Sequence, residues 1–193
     1  MAAAMGGLMW AGAGPREGES MAHAMSKVAP IDTSLFDVQG MDESGFSVTQ
    51  HVNGPRAEVY RLMTTAEGIK AFIGVESEIE LAIGGKYEWY FGRSMGLPQG
   101  QQGSDGCQIL SYVPNEMLSF SWNAPPTIPV ERERRSWVVI TFADGERGGT
   151  DVTLTHLGFG TTGRWNEVRA YFVSAWPKVL GALAAHVEGQ KPQ

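Results

Sequence analysis

The feature that most constrains this chain is an apolar stripe near its carboxy terminus. Trp165, Val168, Phe172, Trp176, Val179, Leu183 and Val187 are spaced 3, 4, 4, 3, 4 and 4 residues apart. That is the period of one helix face. A helix from about Arg164 to Glu188 would run roughly 37 Å at 1.5 Å per residue. Pro177 falls inside the stripe. It deletes the hydrogen bond to the Val173 carbonyl and is expected to bend the helix.

The segments before the stripe read mostly as strands. In "SGFSVTQHVNGP" alternation sends Phe46, Val48 and Gln50 to one face and Ser47, Thr49 and His51 to the other. Asn53-Gly54-Pro55 then turns the chain into a helix, "RAEVYRLMT", with Val59, Leu62 and Met63 at core spacing. A second short helix, "AEGIKAFI", follows Thr64-Thr65. "ESEIELAI", "KYEWYF", "DGCQILSYV", "MLSFSWN", "SWVVITF" and "GTDVTLTHLGF" read as six strands. Gly84-Gly85 and Pro114-Asn115-Glu116 supply turns, and Gly92 to Ser104 and "APPTIPVERERR" are long loops. This order predicts an α+β fold: a curved antiparallel sheet of about six to seven strands wrapped around the long helix.

The 193 residues divide into a flexible leader, 1–42, and one domain, 43–190. "MAAAMGGLMWAGAG" is apolar, but its first cation is Arg16. A leader in a cytoplasmic protein is therefore favoured, with export as the alternative if residues 1–24 act as a signal peptide. A net charge of -6 argues against a nucleic-acid backbone as partner. No stretch reaches the roughly 20 apolar residues of a membrane span. One cysteine, Cys107, excludes an internal disulfide and a multi-cysteine metal site. No motif calls for a metal or cofactor.

"GGKYEWYF" packs four aromatics into eight positions. Alternation sends Tyr87, Trp89 and Phe91 inward and Lys86, Glu88 and Tyr90 outward. Phe120 and Trp122, with Phe172 and Trp176 from the helix, bring more rings to the same interior. They either fill a core or wall a pocket for an apolar ligand, and their density favours the pocket.

Polar candidates are sparse. His156 points inward with Val152 and Leu154; it reads as a satisfied core histidine, with a general base or ligand partner as the alternative. Arg93 follows the aromatic strand; loop solvation is favoured over a role at a pocket mouth. Lys86 and Glu88 are expected to pair on the surface. Glu76, Glu78 and Glu80 read as a solvated face, Cys107 as a buried small hydrophobe, and "ERERR" as solvated loop.

"VTQHVNGPRAEVYRLMTTAEGIKAFI" resembles the opening of the helix-grip (SRPBCC, START-like) superfamily, which includes the major birch-pollen allergen, START domains and polyketide cyclases. "GGKYEWYF", "VPNEMLSFSWNAPP" and "GGTDVTLTHLGFG", then a Trp and the final helix, narrow the resemblance. They are similar to the bacterial branch named after the carboxy-terminal domain of the heat-shock-protein-90 ATPase activator. The resemblance covers about Ser44 to Gly189. Phe72 stands where that branch more usually has tryptophan, the two loops are long, and nothing resembles the amino-terminal domain with which eukaryotic activators grip the chaperone. The resemblance implies a cavity between sheet and helix for a small hydrophobic or aromatic molecule, with the rings as wall and Tyr87, Arg93 or His156 as orienting groups. Two alternatives accompany it: a polyketide cyclase or aromatase with His156 as acid–base group, and an interaction protein of the stress response that binds a chaperone. A second copy of the chain also stays open as a partner.

Overall fold

The computed structural model describes residues 31, 33–36, 41–42 and 45–189. The expected signal segment, 1–24, lies outside them, as does most of the expected leader. Thr33–Leu35 form a short 3-10 turn, and the ring of Phe36 meets Trp137 edge-on at 6.1 Å.

Strand β1 (Met41–Asp42) pairs with β9 (Phe159–Gly160). Strand β2 (Phe46–Val52) leads through Pro55 into helix α1 (Arg56–Thr64), and α2 (Ala66–Ile73) follows. Thr65 separates the helices because it is extended and caps α2, accepting the Gly68 amide at 3.1 Å. Gly74, at φ 73°, ends α2 by returning its amide to the Lys70 carbonyl. Strands β3 (Ser77–Ile79), β4 (Tyr87–Trp89), β5 (Ile109–Val113) and β6 (Met117–Trp122) come next. Helix α3 (Pro129–Arg132) precedes β7 (Ser136–Asp144) and β8 (Thr150–Leu157), and α4 (Trp165–Gly189) closes the domain.

The main sheet is antiparallel in the order β2-β8-β7-β6-β5. The β4–β3 ladder continues it beyond β5. Lys86 bridges Gln108, the Tyr87 amide donates to the Cys107 carbonyl at 2.9 Å, and the Ile109 amide donates to the Gly85 carbonyl at 2.8 Å. Five strands and two more make the expected α+β sheet.

Two strands are shorter than their alternation predicts. "ESEIELAI" is strand only over Ser77–Ile79 because the chain turns at Glu80 to Gly85. A Cβ on Gly85 would overlap the Glu80 carbonyl oxygen. "KYEWYF" is strand only to Trp89 because Gly92 starts a tight turn. Phe91 therefore does not point inward with Tyr87 and Trp89; it is 41% exposed.

Helix α4 buries the expected stripe, from Val168 to Val187, against β2 and α2. Pro177 does not end it. Both Pro177 and Val173 lie on the solvent face, where water can hydrate the freed carbonyl.

Candidate functional site

The interior between sheet and helix is lined by rings from four elements. Tyr87 and Trp89 come from β4, Phe120 and Trp122 from β6, His156 from β8, and Phe172 and Trp176 from α4. All are buried. Tyr87 and Phe120 lie 4.2 Å apart, centroid to centroid. Trp89, Trp122 and Trp176 form a triangle with edges of 5.6, 5.2 and 6.3 Å. Phe172 stacks on Trp176 at 6.0 Å. Phe91, at the surface, lies 6.0 Å from Trp89. The structure thus unites six of the seven expected wall rings inside and places the seventh at their edge.

His156 sits against this cluster as a satisfied core histidine. Its Nδ1 accepts the Trp176 indole N–H at 3.0 Å, so the neutral ring carries its proton on Nε2. Nε2 then donates to the Ser136 hydroxyl at 2.8 Å, and Ser136 donates to the Trp122 carbonyl at 3.3 Å. Burial pushes the imidazole pKa down to about 3. Both nitrogens are engaged, which leaves no free lone pair for a general base. Ser136 was legible as a polar residue on the inward face of β7, with Val138 and Ile140.

Four buried side-chain polar atoms lack a hydrogen-bond partner among the described residues: the Tyr60 hydroxyl on α1, the Ser77 hydroxyl on β3, Arg135 Nε and the Trp89 indole N–H. The Tyr87 hydroxyl is spent on the Met63 carbonyl at 2.8 Å, which ties β4 to the end of α1. Burial raises the Tyr87 pKa well above its ordinary value, and the Trp89 N–H offsets part of that rise.

Arg93 is not near the interior. It lines a separate cleft of about 620 Å³ on the other face of β4, with Lys86, Glu88 and Tyr90. Its guanidinium lies 3.7 Å over the Tyr90 ring and bonds Gln102 at 3.2 Å. Tyr90 is buried rather than exposed. Lys86, just before β4, pairs with Glu78 of β3 at 2.6 Å instead of with Glu88, which lies directly opposite Glu78 in the register. Glu88 instead accepts the Tyr90 hydroxyl and the Gly106 amide.

One wall of the cleft is tightly built. Arg132 donates to the carbonyls of Ala124, Gly100 and Gly103, and pairs with Asp105 at 3.3 Å. Asp105 accepts the amides of Gly100 and Gly103 at 2.9 and 2.8 Å. "ERERR" is therefore not a solvated loop: Arg132 is largely buried, and Glu131 is buried and accepts the Arg164 amide at 2.7 Å. Cys107 is fully buried, as expected, and burial pushes its thiol up to about 12. Among the described residues no His, Cys, Asp and Glu group could hold a metal ion, and no helix is long and apolar enough to cross a membrane.

A seven-strand antiparallel sheet, two short helices after its first long strand and a long final helix define a helix-grip protein. Residues 53–188 match the family described as "Activator of Hsp90 ATPase homolog 1-like protein", and the chain belongs to that family. No curated protein matches. Solved structures carry the same fold. Protein MLL2253 from Mesorhizobium loti is 17% identical, with a TM-score of 0.57 over 77% of this chain and 99% of that one. The AHSA1-like protein RHE_CH02687 from Rhizobium etli is 27% identical, with a TM-score of 0.51 over 77% of this chain and 86% of that one. CalU16 from Micromonospora echinospora is 19% identical, with a TM-score of 0.55 over 77% and 82%.

Proposed function

We propose that the protein binds a small aromatic or otherwise hydrophobic molecule among the rings between the sheet and α4. The observation that carries this reading is the ring path from the surface. Phe91 is 41% exposed and lies 6.0 Å from Trp89, which is fully buried and reaches Trp122 and Trp176. A ligand entering beside Phe91 would part edge-to-face ring pairs, each contributing about 0.5–1.5 kcal/mol beyond burial. An aromatic ligand replaces those contacts with equivalent ones, whereas a polar ligand does not. Binding without turnover is the favoured form, since His156 has no free nitrogen for acid–base work. Titration with 2-acetylnaphthalene, followed by tryptophan fluorescence, tests the reading. Saturable quenching that Trp122→Ala weakens is expected. A response linear in probe would contradict it.

The family description supports a second reading, a chaperone partner. It is tested by adding the protein to an Hsp90 ATPase assay: stimulation supports this reading, and an unchanged rate removes it.

A further inference from the structure

The Trp89 side chain is fully buried, yet its indole N–H has no hydrogen-bond partner among the described residues. Leaving a buried donor unpaired costs stability. Phenylalanine would supply the ring without that cost. The surroundings are rings: Tyr87, Phe72, Trp122 and Trp176 all lie within 6.4 Å, centroid to centroid. One polar atom stands close, the Tyr87 hydroxyl oxygen. Its proton goes to the Met63 carbonyl, so a lone pair stays available, but the indole N–H does not meet it in hydrogen-bond geometry.

The backbone at this position is held on both sides. The Trp89 amide donates to the Ser104 hydroxyl at 2.7 Å, and the Ser104 amide donates to the Trp89 carbonyl at 2.9 Å. Gly103 packs so closely that a Cβ there would overlap the Trp89 carbonyl oxygen. The Trp89 backbone is therefore pinned, and its indole N–H stands beside the Tyr87 hydroxyl, whose pKa it lowers, without completing a hydrogen bond to it.

We infer that Trp89 Nε1 is a specificity donor, and that the ligand is an aromatic compound carrying a hydrogen-bond-accepting oxygen, such as an aryl ketone. This rests on the binding reading above and narrows it to a chemical class. A dry donor discriminates strongly because an isostere lacking the acceptor leaves the N–H unpaired.

The test uses two isosteres, 2-acetylnaphthalene and 2-isopropenylnaphthalene, which differ by an oxygen for a methylene. Wild type and Trp89→Phe are each titrated with both. The ketone is expected to bind wild type tighter than the alkene by about tenfold or more. In Trp89→Phe that preference should fall by about the same factor. Equal affinities in wild type, or a preference that survives Trp89→Phe, would overturn the inference while leaving the binding site standing. Binding of neither compound to wild type would overturn both. Should Trp89→Phe fail to fold, the wild-type indole amide resonance decides. The inference expects the Trp89 N–H proton to move downfield with the ketone and not with the alkene; the same shift with both overturns it.

Discussion

Trp176 donates its indole N–H to His156 Nδ1 across 3.0 Å, and this bond sets the proton position on the imidazole. With Nδ1 accepting, Nε2 must donate to Ser136, and the Ser136 hydroxyl donates to the Trp122 carbonyl. Four elements, α4, β8, β7 and β6, are joined by this chain of donors. It also fixes the plane of Trp176, which stacks on Phe172 and faces Trp122. The histidine that the sequence offers as a satisfied core residue, with a general base as the alternative, thus orients an interior ring.

The imidazole makes stability depend on pH. Its pKa falls from 6.5 to about 3 in the folded protein because burial disfavours the charged form. The unfolded chain then binds a proton that the folded one refuses. The stabilisation is fully present above pH 6.5 and is lost progressively as pH falls toward 3. The slope is about 1.4 kcal/mol per pH unit inside that window. Urea unfolding between pH 5 and pH 7 measures it. His156→Gln should lower the slope by about one proton equivalent; an unchanged slope contradicts the assignment.

Trp176→Phe removes the donor and leaves His156 Nδ1 unpaired in the core. A loss of about 1–3 kcal/mol is expected from the unmade bond, apart from lost ring area. A double-mutant cycle with His156→Phe separates the two contributions. A coupling energy near 1 kcal/mol is expected. Strict additivity would show that the bond contributes nothing.

Arg132→Met should destabilise the domain by about 3–5 kcal/mol, because it strands Asp105 without its cation. Adding Asp105→Asn should recover part of that loss, since the uncompensated charge is gone. The urea midpoints of the single and double variants check this. A midpoint close to wild type for Arg132→Met would mean that the Arg132–Asp105 pair contributes nothing to stability.

Gly103→Ala tests the close approach of the loop to β4. The added methyl would overlap the Trp89 carbonyl oxygen, so loop or strand must shift. Overpacking of this kind costs about 1–3 kcal/mol or more. Thermal unfolding should show a lower midpoint, and Gly100→Ala, at φ 86° but with open space around its Cβ position, should cost less.

The sheet-and-helix plan was legible because it rests on short-range periodicity. The stripe from Val168 to Val187 and the alternation through Val138, Ile140 and Phe142 are buried as their spacing requires. Phe91 was misplaced because alternation says nothing about where a strand stops, and here Gly92 ends it. Arg132 was misread for a different reason. Its partners, Gly100, Gly103 and Asp105, lie 27 to 32 residues away, and no local pattern reveals that two loops meet. The unpaired Trp89 N–H is likewise a property of packed neighbours.

The measurement that tests the account most directly is a ¹H–¹⁵N spectrum of the indole groups during titration with 2-acetylnaphthalene. Trp89, Trp122 and Trp176 line the interior, whereas Trp137 lies on the outer face of β7 against Phe36. The account predicts saturable shifts in the three interior indoles and a still Trp137. Shifts confined to Trp137, or no shift up to the solubility limit of the probe, would contradict it.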